Sequence, residues 1–466
     1  MTTNSKHDGA GTSDKSQGDP ARPKIVIVGA GFGGLDAARA LRNAAADITI
    51  LDRHNYHCFQ PLLYQVATAT LSPADIAWPI RALFRRQRNV TVLMADVTGV
   101  DPKQHLVLTD AGSFPFDFLI LATGATHSYF GHEDWAAAAP GLKTIEDATT
   151  IRRDTLLAFE KAELAHTEEE RKALLTFAIV GGGPTGVEMA GAIATIARKS
   201  LQPDFRHIDA GDAHVILLEA GPRILPALPE KLSDYAARAL ARMGVEVQTS
   251  TAVTGCDEKG VDTTKGRIDA ATIIWAAGVV ASPAAKWLGV KADKAGRIEV
   301  NNDLSVPGYP NIFAIGDTAA FRRENGELAP GIAPAAKQMG QYAGRRIVAA
   351  LEGKDIAPFR YRHEGDLATI GRKAAVVKVG SFTLTGFAGW LFWGIAHIYF
   401  LIGLRNRFAV ALNWLWNWMT YQAGARLITG YNPEREHANT AGVEAPQAAA
   451  KSWRSESKRE SGRDWA

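Results

Sequence analysis

Short apolar runs closed by glycine recur along the chain and read as strands buried on both faces, because polar alternation is missing from them. KIVIVG at 24–29, DITILD at 47–52 and FDFLILATGA at 116–125 form a first group, and a helix with small residues on one side is predicted over Gly31–Asn43. Between them, Ser72-Pro73-Ala74-Asp75 has the form of a capping box with Pro at the first helical position, and Pro79 is expected to break or bend that helix. A charged amphipathic stretch from Thr144 to about Lys172 predicts one long helix leading to a second group. That group starts at Phe177 and continues through HVILLEAG (214–221), GVEVQTS (244–250) and ATIIWAAG (271–278). NIFAIGDTAAF at 311–321 returns to the style of the first group, so the first domain is expected to close again after the second has been inserted.

Gly29, Gly31 and Gly34 form a GxGxxG pattern directly after the first strand and at the start of its helix. The spacing gives the three glycines a tight turn, a close backbone approach to a pyrophosphate, and close packing of helix on strand. The phosphate then rests on the positive end of the helix. Asp52 ends the next strand 18 residues after Gly34, where a carboxylate can hold ribose hydroxyls. Gly181, Gly183 and Gly186 repeat the pattern, with Glu219 at the end of VILLE as the matching acid and KSLQPDFRHIDAGD as an insertion before it. A carboxylate there favours free ribose hydroxyls and repels a 2′-phosphate, so NADH is expected over NADPH, a preference that Arg223 can soften. A tight turn without ligand is the alternative for either loop taken alone.

Two such sites suit a resident flavin and a visiting nicotinamide, with hydride passing between stacked rings. LATG (121–124) and WAAGV (275–279) are Gly-ended strands near the cofactors, and Asp317 in AIGD can bond a flavin's ribityl hydroxyls. The fold class expected is α/β with two Rossmann-like dinucleotide-binding domains.

Composition narrows the function without choosing it. A length of 466 residues allows two or three domains, and 46% hydrophobic residues can build a real core. A net charge of +3 is too small to indicate a nucleic-acid partner. The two cysteines, Cys58 and Cys256, lie far apart and in no CxxC or Cys/His pattern, so an iron–sulfur cluster, a zinc site and a redox dithiol all lack ligands, and no metal is expected. This usage fits a reducing compartment. The polar N-terminus has no apolar h-region and is not read as a secretory signal, and residues 1–22 and 434–466 are read as disordered tails.

Between Leu367 and Pro433 there is no Asp or Glu, while Arg372, Lys373, Lys378, Arg405, Arg407 and Arg426 are basic. Five of the eleven tryptophans fall here: Trp390, Trp393, Trp414, Trp416 and Trp418. Basic charge attracts anionic headgroups and indoles favour the membrane boundary. FAGWLFWGIAHIYFLIGL (387–404) has the minimum length of a span but carries His397 and several glycines. In the next run Phe408, Leu412, Leu415, Trp416 and Met419 share one helical face, with Asn413 and Asn417 off it. Attachment to a membrane lipid surface is therefore expected, with a dimer interface or core element, and a true span, as alternatives.

The order of these motifs resembles the glutathione-reductase-like flavoproteins with two dinucleotide-binding domains. Within that fold the chain is most similar to the type II NADH dehydrogenases, single-subunit NADH:quinone oxidoreductases that do not pump protons. The resemblance runs from about Lys24 to about Tyr431 and rests on FQPLLYQVATATLSPADIA (59–77), GPTGVEMAGAI (183–193), RILPALPEKLS (223–233), APAAKQMGQYAG (333–344) and GLRNRFAV (403–410). It implies FAD on the first loop, Asp52, Thr123, Gly124 and Asp317, and NADH on the second loop, Glu219 and Gly278. It implies that Glu188 stands close to the nicotinamide and links the flavin to proton exchange; a helix N-terminal carboxylate satisfying the dipole is the alternative. The family's quinone motif AQxAxQ becomes Ala333-Pro334-Ala335-Ala336-Lys337-Gln338, which keeps the second glutamine as Gln338 and puts Pro334 at the first. Lys373 is implied to face the quinone, a ubiquinone or menaquinone.

The expected layout is FAD-binding over 23–145 and again over 301–360, NADH-binding over 146–300, and membrane attachment over 361–433. The resemblance implies a peripheral enzyme on the cytoplasmic face of the inner membrane, and a homodimer stays open. Cys58 and Cys256 do not match the cysteines that thiol reductases and sulfide:quinone oxidoreductases need. Two rival readings remain, an NADH-dependent reductase of a protein acceptor such as a ferredoxin, and a non-catalytic FAD/NAD redox sensor.

Overall fold

In the first strand, Lys24–Val28, residues 25 to 28 are all buried, but on alternate sides: Ile25 and Ile27 join one core, Val26 and Val28 the other. A strand covered on both faces needs no polar positions, which is why it reads as an unbroken apolar run. It is the centre of a six-stranded sheet in the order 305–306, 309–314, 118–121, 24–28, 47–52, 90–94, parallel except at the 305–306 edge. The strand Tyr309–Ala314 therefore does return to the first sheet, pairing Ile312 with Leu119. A computed structural model of the chain describes residues 22–421 and 424–430, and the packed unit ends at Arg426. The tails expected over 1–22 and 434–466 lie outside the described residues, apart from Arg22.

The second sheet is wholly parallel, with its strands in the order 245–248, 214–218, 176–180, 272–275. In both sheets the strand feeding a glycine loop lies between the strand that follows the loop's helix and a strand from much later in the chain. The order reverses at that point, and a crevice opens at the carboxyl ends of the strands. The antiparallel pair Ala125–His127 and Val279–Ala281 ties the two regions together.

Two sequence expectations need correction. The long helix from Thr144 is two helices, Ile145–Leu164 and Glu168–Leu174. Ala165 is extended (ψ 136°), and Thr167 accepts from the Glu170 N–H as a new cap, with Glu168–Glu170 at the helix's positive end. The capping box at Ser72 forms with Asp75, but its helix stops at Ile76, before Pro79. Ala77–Pro79 leaves it to pair with Tyr56–Cys58. The apolar run 387–404 is not one helix: Gly386–Phe400 has 15 residues, and Gly403 (φ 86°) turns the chain against the Trp78 ring. Among the described residues no helix is long and apolar enough to cross a membrane.

Two close contacts fix the remaining parts. The Ala333–Leu351 helix lies against the Phe32–Ala40 helix through glycines, since a Cβ at Gly340 would stand 2.1 Å from the Gly33 carbonyl oxygen. A three-stranded sheet (366–371, 374–379, 382–385) presses on the Pro184–Thr195 helix, where a Cβ at Gly191 would stand 1.6 Å from the Ile370 carbonyl oxygen. Neither site admits any side chain.

Candidate active site

In the first loop, Gly29 takes φ 99° and its N–H donates to the Leu51 carbonyl (2.7 Å), while a Cβ at Gly34 would stand 1.9 Å from the Gly29 carbonyl oxygen. Gly31 is different. Its φ of −68° is open to any residue, and a Cβ there meets no protein atom within 4 Å. Neither backbone nor packing demands glycine at that position; room for a ligand against the backbone does. Asp52 closes the loop, accepting from the Ala30 N–H (2.6 Å) and the His54 N–H (2.8 Å). Burial pushes its carboxyl above the usual range, against the pull of these two donors. His57 props the same loop from behind: Nδ1 donates to the Ala30 carbonyl (2.9 Å), and burial lowers this imidazole to about 4, so it is neutral.

The second loop repeats this geometry. Gly181 has φ 108° and donates to Leu218 (2.7 Å), Gly186 is pressed on Gly181, and Gly183 again has an ordinary φ (−71°) and open space beyond it. Glu219 accepts from the Gly182 N–H and the Gly221 N–H, both at 2.6 Å, as Asp52 does from the second loop residue and the residue two beyond itself. Arg223 donates to the carbonyls of Leu228 and Pro226, so its guanidinium is turned to its own loop. The shared arrangement fits a dinucleotide on each loop.

Thr123, Gly124, Ser282 and Thr318 form a knot between the two regions. The Thr123 hydroxyl meets those of Ser282 and Thr318 (3.1 Å to Thr318), and the Gly124 N–H donates to Thr318 (3.0 Å). Asp317 is in the short turn Gly316–Thr318 beside Gly331, so it stands next to this knot at the carboxyl end of the first sheet. Gly278 lies under Phe130, whose ring would be 2.7 Å from a Cβ there.

Glu188 faces a cavity that is open at one side. Its walls come from separate segments: Tyr64, Gln65 and Thr70; Glu188, Ala192 and Thr195 on the second-loop helix with Ser200 just beyond it; Thr369–Arg372; and Trp390, Trp393, Trp414 and Trp418 on the two C-terminal helices. Burial raises the Glu188 carboxyl to about 8, with the Thr369 N–H (3.4 Å) opposing weakly. The residue follows Pro184–Val187 and lies past the first turn, so satisfying the dipole does not account for it.

The structure separates the other two proposed site residues from this cavity wall. The Gln338 amide is committed to the neighbouring segment, donating to the Arg362 carbonyl (2.8 Å) and accepting from the Arg362 N–H (3.0 Å). Lys373 is exposed on a hairpin turn at φ 68°, its ammonium 5.4 Å from the Trp418 ring; its neighbour Arg372 lines the cavity instead. Cys58 and Cys256 are free, and burial raises their thiols to about 12 and about 11, far from thiolates at neutral pH. Sequence reasoning assigned no role to Tyr64, Gln65 or His57, although all three lie in or next to the 59–77 run it had marked.

A family model for pyridine nucleotide-disulphide oxidoreductases matches residues 23–340, and one for the NDH2 C-terminal domain matches 363–421. The chain is 44% identical over 426 residues to the type II NADH:quinone oxidoreductase Ndh of Mycobacterium tuberculosis, covering 88% of this chain and 91% of that one. It is 30% identical over 374 residues to the type II NADH:quinone oxidoreductase of Staphylococcus aureus, covering 78% and 92%. NDH2 from Plasmodium falciparum, solved in complex with NADH, shares the fold at a TM-score of 0.79 and 23% identity, covering 85% of this chain and 98% of that one.

Because its pKa is raised from 4.5, Glu188 keeps in the folded protein a proton that the unfolded chain gives up. Its stabilising contribution is complete below about pH 4.5 and is lost as the pH climbs to about 8. Glu188→Gln should remove that slope. Thermal melts of the variant should gain on the wild type between these pH values; a constant difference would show an ordinary carboxylate.

Proposed function

The chain belongs to the type II NADH:quinone oxidoreductases, and from that membership we propose that it oxidises NADH through FAD and reduces a membrane quinone without pumping protons: NADH + H⁺ + quinone → NAD⁺ + quinol. The observation carrying this reading is the repeat of one loop geometry at 29–34 and 181–186, with the Glu188 cavity opening off the second helix. Gly29, Gly31, Gly34, Asp52, Thr123, Gly124 and Asp317 would hold FAD, whose ring, when bound, takes a hydride from NADH and passes two electrons on. Gly181, Gly183, Gly186, Glu219 and Gly278 would hold NADH. The domain layout follows: FAD-binding over 23–145 and 301–360, NADH-binding over 146–300, membrane attachment over 361–433.

Each residue then has a physical task. The two acids hold their loops open and keep lone pairs for ribose hydroxyls. Glu188, protonated below about pH 8, holds a proton at a carboxyl oxygen beside the cavity, within reach of a quinone oxygen that gains charge. Gln338 braces the 362–364 segment, and Lys373 acts from outside the wall through Trp418. The quinone is a ubiquinone or a menaquinone.

The C-terminal helices supply the membrane contact. Phe408, Leu412, Leu415, Trp416 and Met419 are each more than half exposed on one face of Leu404–Thr420. Moving one such side chain out of water is worth roughly 1.5–3 kcal/mol. A surface ion pair gives about 0–1 kcal/mol. Insertion of the apolar face, more than headgroup attraction, therefore holds the protein to the membrane, and the family resemblance supports the cytoplasmic side. A partner protein such as a ferredoxin would not need this face.

Two measurements test the reading. Glu219→Ala should raise the KM for NADH about tenfold or more while the purified protein keeps its flavin; loss of flavin would place Glu219 in the other site. Wild-type protein should float with lipid vesicles even in high salt, and Leu412→Glu with Trp416→Glu should release it. Release of the wild type by salt alone would contradict insertion.

A further inference from the structure

Two indoles stand side by side in the cavity wall, and only one is satisfied. Trp414 Nε1 donates to Gln65 Oε1 (2.7 Å), and Gln65 Nε2 in turn donates to the Tyr64 hydroxyl (2.8 Å). Trp393, its ring centroid 5.2 Å away, is 2% exposed, and among the described residues its Nε1–H meets no acceptor. Its ring is not free to turn in search of one. Trp414 packs beside it, His397 lies 4.2 Å away, and the His397 Nδ1–H is fixed on the Trp393 carbonyl (2.7 Å). A buried donor held without an acceptor costs free energy, and such groups commonly mark the place of a missing partner.

The chemistry of that partner is restricted. An indole N–H can only donate, so what meets it is an acceptor atom. The surrounding wall of Trp390, Trp393, Trp414 and Trp418 suits a flat apolar ring, and Glu188 in the same cavity is protonated at neutral pH. A flat conjugated ring bearing carbonyl oxygens satisfies both. We propose that Trp393 is the hydrogen-bond donor that orients one carbonyl oxygen of the quinone in this cavity. The proposal rests on the reading that the quinone ring occupies the Glu188 cavity.

Trp393→Phe removes the donor and keeps an aromatic ring. The KM for a short-chain quinone should rise about tenfold, the worth of one hydrogen bond. In protein carrying ¹⁵N-labelled tryptophan, the indole resonance that this substitution removes should move downfield when the quinone is added to the wild type. Ala192→Phe, which narrows the same cavity from the second-loop helix, should also raise the quinone KM and abolish that shift. If Ala192→Phe raises the KM but Trp393→Phe does not and no indole resonance moves, the role of Trp393 is overturned and the cavity stands. If Ala192→Phe also leaves the KM unchanged, the quinone sits elsewhere and the underlying reading fails. Should Trp393→Phe not fold, the wild-type resonances with and without Ala192→Phe still decide the question.

Discussion

The acid at the end of each second strand grips the loop before each helix. Asp52 takes the Ala30 N–H and Glu219 the Gly182 N–H, both at 2.6 Å, and the rest of the site is referenced to these two bonds. Each holds a loop in the one shape that leaves Gly31 or Gly183 facing open space and aims a helix N-terminus at it. From there the positions propagate by contacts that admit no slack. Gly34 and Gly186 clamp helix to strand, Gly33 meets Gly340, and Gly191 meets Ile370. Glu188 lies three residues before Gly191 on the same face, so the contact that docks the 366–385 sheet also sets the carboxyl under Thr369 and inside the cavity.

Much of this was legible in the sequence because the relevant signals are local. Strands buried on both faces leave apolar runs, and the glycine spacing and the acid that follows describe one βαβ unit at a time. The face of Leu404–Thr420 could be read from its 3.6-residue period. What could not be read depends on tertiary contact. Ala165–Thr167 breaks a helix whose amphipathic pattern runs straight through, because the Thr167 cap competes locally with continuation. The cavity draws walls from residues 64–70, 188–200, 369–372 and 390–421, and no spacing rule links such distant segments.

The quinone side shows the same limit at single residues. The motif that ends in Gln338 lies on the Ala333–Leu351 helix, and its amide is spent on the Arg362 backbone. Arg372 and Lys373 share the two-residue turn between the strands 366–371 and 374–379, where strand alternation does not say which of them lines the cavity. Arg372 faces inward, its guanidinium 3.7 Å from the Tyr421 ring. Only the packing shows which side chains reach the cavity.

The two nucleotide loops and the aromatic cavity make a relay only if one bound flavin communicates with both substrates. The direct test is the absorbance of the purified protein under anaerobic conditions. Stoichiometric NADH should bleach the oxidised flavin bands, and one equivalent of quinone added afterwards should restore them at a rate matching turnover. A protein that carries flavin but is not bleached by NADH, or is bleached and not reoxidised by quinone, would contradict the account.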